Sequence, residues 1–308
     1  GGRAVLAGLT GYEVKCSFAA LRFAATTNAL APGVPLASEM TGGGALALGD
    51  MNGDGRLVLF VAGGVVPGQY PLSAPSKLYR FEERQWKLDA RNSVLLQNLG
   101  IVNSALWSDL DADGRPELVL ACEWGPIRVF KSRAGALFEV TEQFGLKSLT
   151  GWWRGVTAGD LNNDGRLDLI AANWGLNSQY RASAGKPLVF VYGQMAQPGV
   201  MDIIETEYVT NTLAPSRQLR EMAASLPFLQ EWFTTHKAYS EATLDEVLGD
   251  RKVLAKRVTA TTLTSMAFLN TSQGFQAVEL PREAQFSPAF SVNVADFDGD
   301  GNDDVFLS

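Results

Sequence analysis

The chain of 308 residues is long enough to bury a large core, and 46% hydrophobic with 19% charged residues is the composition of a folded protein. No run of about 18 apolar residues is present, which argues against a membrane-spanning helix. The formal net charge of −7 argues against a nucleic acid as partner, because nucleic-acid-binding proteins usually carry a basic face.

The first informative element is an acidic loop between two strand-like runs, GALALG and LVLFVAGG. Its alternating positions one, three, five and seven hold Asp50, Asn52, Asp54 and Arg56, the last through its carbonyl. Calcium takes six to eight oxygen ligands, and alternate side chains around a tight turn can converge on one ion. Gly55 at position six permits the sharp bend. The pattern predicts a calcium loop, which we expect to be weak because Val58 replaces the acid at position nine.

The same pattern recurs twice in the next hundred residues. The copy after SALWS offers Asp109, Asp111, Asp113, the Arg115 carbonyl and Glu117. The copy after GVTAG offers Asp160, Asn162, Asp164, the Arg166 carbonyl and Asp168. An EF-hand would need a glutamate at position twelve and a following helix, but position twelve of the third copy is Ala171, within a strand-like run. These are therefore strand–loop–strand sites.

The segment 194–248 interrupts the repeats. A fifth, eroded copy at Gln194–Asp202 keeps its glycine and its last acid but has lost the carboxylates at positions one, three and five, so we expect it to bind no metal. Residues 216–248 show apolar residues at helical spacing and a capping box at Thr243–Glu246. They predict a helical insertion packed on the rim or face, with a partner-binding lid as the alternative.

The last copy follows SVNVA and offers Asp296, Asp298, Asp300, the Asn302 carbonyl and Asp304. Four copies in one register favour calcium over the alternative, metal-free polar turns. We expect about three well-formed Ca²⁺ sites and a weaker fourth at Asp50. Thirteen acids lie at these ligand positions, two in the first loop, three in the third and four in each of the others. Without a cation, such crowded like charges are destabilising.

The repeat length predicts the architecture. The first three copies begin 59 and 51 residues apart, which is close to one four-stranded propeller blade. Short alternating runs such as LYRFEER and IRVFKSR favour antiparallel strands. We therefore expect an all-β propeller of four-stranded antiparallel blades, forming one domain over residues 1–308 as an incomplete ring. Because both ends look cut, we expect the chain to be a fragment of a longer protein.

Three segments carry a resemblance to a known family: residues 151–183, 226–248 and 268–304. The chain resembles FG-GAP/VCBS-repeat proteins, whose integrin-alpha-like propellers have calcium-loop blades. It is most similar to bacterial FG-GAP-like proteins that often carry an ASPIC/UnbV domain. The resemblance covers roughly residues 40–308 and departs at Val58 and in the eroded loop. It implies a calcium-stabilised propeller used in binding or cell adhesion.

Aromatic residues around the third loop are candidates for ligand contact. Trp152, Trp153 and Trp174 could be core wedges or a sugar-stacking platform. In a strand, one of the adjacent pair Trp152–Trp153 must face away from the other, and the outward one is the better candidate. Asn173 and Asn177 could shape such a surface.

Catalytic and redox signals are sparse. The single histidine, His236, lies in the predicted insertion, and neither an HExxH nor a GxSxG motif is present. The two cysteines, Cys16 and Cys122, show no zinc spacing. Cys122 follows an apolar run and is interpreted as a buried free thiol, with a Cys16–Cys122 disulfide as the alternative.

Three functional hypotheses remain. The first is a non-enzymatic, calcium-binding module for extracellular binding or adhesion, with a protein or glycan as partner. The second is a polysaccharide-active enzyme such as a lyase, which requires a deep pocket with a Lys, Arg, Tyr or His cluster outside the calcium loops. The third is a purely structural module of a larger surface protein. Calcium loops fit an extracellular, periplasmic or cell-surface setting, where weak sites can fill.

Overall fold

The computed structural model describes residues 43–308 and, of the first 42 residues, the backbone of three strands. These strands, β1 (Arg3–Leu9), β2 (Cys16–Ala24) and β3 (Ala29–Ala31), form an antiparallel sheet. The side chain of Cys16 lies outside the described residues.

Two complete four-stranded antiparallel sheets follow in chain order. The first contains β4 (Leu46–Gly49), β5 (Val58–Val61), β6 (Lys77–Glu82) and β7 (Gln85–Leu88). After helix α1 (Ala90–Leu95), the second contains β8 (Ile101–Ser108), β9 (Glu117–Gly125), β10 (Ile127–Arg133) and β11 (Ala136–Glu139). The short β12 (Gly151–Trp152) pairs with the end of β9. Meandering four-stranded sheets of this kind are propeller blades.

The third blade is split by an insertion. It contains β13 (Gly155–Gly159), β14 (Asp168–Ala172), β19 (Met266–Thr271) and β20 (Gly274–Glu279). After the 3₁₀ helix Arg282–Gln285, β21 (Val292–Ala295) and β22 (Asp304–Leu307) form a two-stranded sheet. Strands β4, β8, β13 and β21 lie side by side, as the inner strands of successive blades do. The chain is therefore all-β and propeller-like, and its blades form an open arc over the described residues.

The predicted helical insertion is real but belongs to a larger unit. Between β14 and β19 the chain forms a separate sheet in the order β17-β16-β15-β18, from β15 (Leu188–Gly193), β16 (Asp202–Val209), β17 (Thr212–Pro215) and β18 (Lys256–Ala260). Its helices are α2 (Leu219–Ser225), α3 (Phe228–Trp232), α4 (His236–Glu241) and α5 (Leu244–Leu248), followed by the 3₁₀ helix Gly249–Leu254. The capping box at Thr243 and Glu246 is present.

The core lies between neighbouring blades. Along β9, Leu118 and Leu120 pack with Phe60 of the first blade, whereas Val119 packs with Leu169 of the third. Both faces of β9 are thus covered, and its run LVLAC after Glu117 is continuously apolar instead of alternating. Cys122 is a buried free thiol on the first of these faces. The predicted buried free thiol at Cys122 is confirmed.

Among the described residues, no helix is both long enough and apolar enough to cross a membrane.

Candidate calcium loops and a pocket at the opposite end of the blades

Each predicted acidic loop connects the first and second strands of a sheet, at the same end of the blades. The glycine at position six has a positive φ in all four: +81° at Gly55, Gly114 and Gly165, and +86° at Gly301. Left-handed backbone of this kind strongly favours glycine. The loops therefore share one backbone turn, as their common register predicted.

The carboxylate at position one closes each loop on itself. It accepts the backbone N–H of the glycine at position six, from 2.5 Å for Asp50 to 3.0 Å for Asp296. The corresponding distances for Asp109 and Asp160 are both 2.9 Å. These bonds satisfy backbone donors that the tight turn would otherwise leave unpaired. The first acid is therefore a structural group as well as a candidate ligand.

The acid at position nine fixes the start of the loop. Glu117, Asp168 and Asp304 each accept the N–H of the residue at position two, at 2.8, 3.1 and 3.0 Å respectively. In the first loop this position holds Val58, which is buried in β5 and offers no ligand oxygen. That the Asp50 loop is the weakest calcium site remains a prediction.

The second loop brings its acids together around a lysine. Ligand oxygens of Asp109, Asp111 and Glu117 lie within 4.8 Å of one another. The ammonium of Lys131, from β10, is bonded to Asp111 and lies 3.6 Å from Glu117 and 3.9 Å from Asp113. The pKa of Glu117 is raised to about 7, mainly by burial and also by the neighbouring aspartates, while the Leu110 N–H bond and the Lys131 charge act in the opposite direction. Sequence reasoning missed Lys131, since nothing in the loop itself points to β10.

The last two loops lie side by side. Oxygens of Asp296, Asp298 and Asp300 lie within 4.8 Å of one another. In the third loop Asn162 donates to Asp164 at 3.3 Å, and burial raises the pKa of Asp168. Two polar contacts join these loops, Asp160 N–H to Asp303 at 3.0 Å and Asn163 to Asn302 at 2.6 Å.

The chemistry of these donors fits calcium. All candidate ligand atoms are oxygens, from carboxylates, amides and the carbonyls at position seven, and no histidine or cysteine is among them. Hard divalent cations prefer such ligands. The converging acids of the second and fourth loops would hold the ion through several charges, whereas the first loop would rely on two carboxylates and Asn52.

A separate pocket of about 910 Å³ lies at the other end of the same strands. Asn103 at the start of β8, Glu123 at the end of β9, and Trp174 just after β14 contribute to one wall. The insertion supplies the rest of the lining through Tyr180, the β15–β16 hairpin and α2. We call it the insertion pocket. Small-molecule sites usually measure about 300–1,000 Å³.

The floor of the insertion pocket contains a polar network around a buried carboxylate. Glu123 accepts from Tyr70 at 2.5 Å and from Asn103 at 3.2 Å, and it pairs with Arg154 at 3.1 Å. Burial and the Glu123 charge raise the pKa of Tyr70, and Trp124 donates to its hydroxyl at 2.7 Å. Tyr70 is therefore held protonated. These residues come from separate strands and turns, so sequence spacing did not reveal them.

The tryptophan candidates divide between core and pocket. Trp153 is fully buried and packs on Phe268 in the core between blades, so it does not line the pocket. Trp152 lines the pocket, stacked on Trp174 with ring centroids 4.0 Å apart and 9° between the planes. The buried side chain of Asn173 holds both backbones, accepting from the N–H groups of Trp152 and Trp174. Asn177 is exposed and contacts the Phe286 carbonyl.

Residues 109–171 match the family model of the FG-GAP-like repeat. This segment contains an FG-GAP-like repeat. The match begins at the first ligand of the Asp109 loop and ends in β14, after the Asp160 loop. No curated protein matches the chain. The loops at Asp50 and Asp296 lie outside the matched segment but share the turn and hydrogen bonds of the FG-GAP-like loops.

The eroded loop has the same backbone as the FG-GAP-like loops. Gln194 replaces the first acid and accepts from Gly199 N–H at 2.9 Å, and Gly199 has a φ of +84°. Asp202 accepts from the N–H groups of Met195 and Ala196 at 2.8 and 2.7 Å. The turn is retained where the carboxylate ligands are lost. This loop connects β15 to β16 in the insertion and lines the insertion pocket.

Proposed function

We propose that this chain is a calcium-binding propeller module that acts without catalysis in extracellular, periplasmic or cell-surface binding or adhesion. The observation that supports it best is the repetition of one ligand geometry at the same end of successive blades. In each of the four loops a position-one carboxylate closes on a left-handed glycine. A bound Ca²⁺ would neutralise the crowded carboxylates and so stabilise the native state.

The charge balance adds to this argument. Outside the thirteen candidate ligand acids, 20 acidic residues face 26 basic ones, so the net negative charge belongs to the loops. Calcium at about three loops would remove most of the local repulsion. The contacts between the third and fourth loops would extend this stabilisation across the boundary between two blades.

The test is thermal unfolding with excess calcium, with EGTA, and with magnesium as a control. We expect a calcium-specific rise in Tm, because a ligand that binds only the native state stabilises it. Asp111→Asn is the informative variant, since the partner of Asp111 in the structure is Lys131 and not the loop backbone. Its matched control is Asp245→Asn, an exposed acid on α5. An unchanged Tm with EGTA, and no retained metal, would overturn the calcium proposal.

A polysaccharide-active enzyme is the second candidate, and the insertion pocket is the observation in its favour. The pocket contains Tyr70, Arg154 and Arg217 outside the calcium loops, which is the kind of cluster this hypothesis requires. However, Tyr70 donates to Glu123 and has a raised pKa, while both arginines pair with glutamates. Tyr70 is therefore a poor base at neutral pH. Release of reducing ends or unsaturated products from a polysaccharide panel would favour the enzyme.

A further inference from the structure

We propose that the insertion pocket binds a neutral oligosaccharide. The inference deepens the proposed binding role by naming the ligand class, and it does not depend on calcium, because the pocket and the loops lie at opposite ends of the strands. Three properties of the pocket support it: a wall of aromatic rings, arginines that are both paired with carboxylates, and buried polar atoms without partners.

The aromatic wall matches the apolar face of a sugar ring. Trp174 and Tyr180 are partly exposed in the pocket, beside the buried Trp152 and Phe190. The rings are held at fixed positions by mutual contacts, including the 4.0 Å stack of Trp152 on Trp174 and the edge contact of Tyr180 with Phe190 at 5.6 Å. A rigid aromatic surface provides contact area at little entropic cost.

The charges of the pocket select against an anionic ligand. Arg154 pairs with Glu123 at 3.1 Å, and Arg217 pairs with Glu205 at 2.8 Å. Asp202 is occupied by two backbone N–H groups of the eroded loop. An anion would need an arginine free of carboxylates. Glu221, an exposed carboxylate on α2, also lines the pocket, so acids outnumber arginines there by four to two. Because Glu221 is exposed to solvent, its attraction for a cation is weak.

Unpartnered polar atoms remain on the pocket-lining side chains. The indole N–H of Trp152, which is 6% exposed as a residue, has no hydrogen-bond partner, nor does Nε of Arg154. One carboxylate oxygen of Glu205, which lies beside Phe190 in the insertion sheet, is also unpartnered. Buried polar atoms in native proteins usually have partners, so each of these buried atoms needs a water or a ligand hydroxyl that enters the wall beside it. Sugar hydroxyls can serve both the donors and the acceptor, since each donates and accepts.

The size and the walls fit more than one sugar unit. The volume of about 910 Å³ is near the upper limit for small-molecule sites. The lining comes from blade residues and from the insertion, which contributes aromatic rings, the eroded loop and α2. The loop that has lost its calcium ligands thus contributes to the site, which gives the insertion a role distinct from that of the metal loops.

The experiment is a calorimetric titration of the whole chain with defined tetrasaccharides: cellotetraose, mannotetraose, laminaritetraose, maltotetraose and chitotetraose. Tetragalacturonate and the tetramer of glucosamine serve as charged counterparts. We expect at least one neutral tetrasaccharide to bind with a Kd below about 1 mM, a usual range for a small pocket of this kind. Trp174→Ala and Glu205→Gln should each weaken binding at least about tenfold, whereas Trp232→Ala, an exposed tryptophan on α3, should not.

Several outcomes would overturn the proposal. They are no binding by any neutral tetrasaccharide, tighter binding of a charged counterpart, or binding that Trp174→Ala leaves unchanged. Circular dichroism of each variant shows whether it is folded. If Trp174→Ala does not fold, Glu205→Gln still tests the proposal, because glutamine has nearly the same shape as glutamate. The sugar titration is repeated in calcium and in EGTA, at a temperature where the protein is folded in both. Failure of the sugar proposal would appear as absent binding in both titrations. Failure of the calcium proposal would appear only as a Tm that calcium does not change.

Discussion

The side-chain oxygen of Asn173 accepts the backbone N–H of Trp152 at 3.1 Å, which links the end of β14 to the entry of the third blade. The same oxygen accepts from Trp174 at 2.8 Å, and the amide nitrogen donates to the carbonyls of Thr262 and Thr264, both at 3.3 Å. Asn173 is completely buried. One side chain thus joins the two ends of the insertion to the stacked tryptophans of the insertion pocket.

Asn173→Ala should destabilise the fold. It leaves two N–H donors and two carbonyls without their partner. An unsatisfied buried group costs about 1–3 kcal/mol, and we count this cost in full only for the two N–H donors, because the bonds to the carbonyls are long at 3.3 Å. We expect the free energy of unfolding, measured in urea, to fall by about 2–4 kcal/mol. The matched control is Asn177→Ala, an exposed asparagine with one bond to the Phe286 carbonyl, which should change it by less than about 0.5 kcal/mol. Equal effects of the two variants would contradict this interpretation.

Lys131→Met should have opposite effects with and without calcium. The ammonium lies among Asp111, Asp113 and Glu117, so it acts as a counter-ion when no metal is bound. A calcium ion in the second loop would be repelled by it. We therefore expect the variant to bind calcium more tightly, by about tenfold or 1.4 kcal/mol, and to have a lower Tm in EGTA.

Calorimetric titration with calcium measures whether Lys131→Met binds the ion more tightly. Thermal unfolding in EGTA measures whether its Tm is lower than that of the unmodified protein. The control is Lys147→Met, because Lys147 pairs with Glu142 on the surface, away from the loops. Tighter calcium binding by both variants would indicate a general charge effect and would contradict a specific role of Lys131.

Asp303→Ala should weaken the contact between the third and fourth loops without removing a ligand. Asp303 occupies position eight of the last loop, and its carboxylate accepts the backbone N–H of Asp160 at 3.0 Å. Loss of this bond should lower the free energy of unfolding by about 0.5–1.5 kcal/mol in urea. Calcium stoichiometry should be unchanged. Loss of one calcium equivalent in the variant would show instead that Asp303 supports metal binding.

Cys122 should be inert to thiol reagents in the folded protein. The residue is fully buried, and burial raises the pKa of its thiol to about 12. In a Cys16→Ser background, DTNB at pH 8 should react only after unfolding in guanidinium. Because the folded pKa exceeds the unfolded value of 9.0, the thiol should also lower the stability as the pH rises above about 9. Rapid reaction of the native protein would contradict the burial of β9.

The acidic loops could be predicted because their structure is local. Asp160, Gly165 and Asp168 lie within nine residues, and the bonds that close the turn run between them and their neighbours. The glycine at position six needs a left-handed backbone wherever the loop occurs. The continuously apolar run of β9 likewise reflects a strand covered on both faces. The sequence by itself therefore determined the repeats, their β-strands and their candidate ligands.

Tertiary structure decided the rest, because the relevant contacts join distant parts of the chain. Glu123 meets Tyr70 and Arg154, and Glu205 reaches the same pocket from an insertion whose sheet order differs from that of a blade. Lys131 reaches the second loop from a neighbouring strand. These contacts cannot be predicted from the periodicity of the sequence. They depend on which faces pack together to bury apolar surface, and on where the insertion between β14 and β19 packs against the blades.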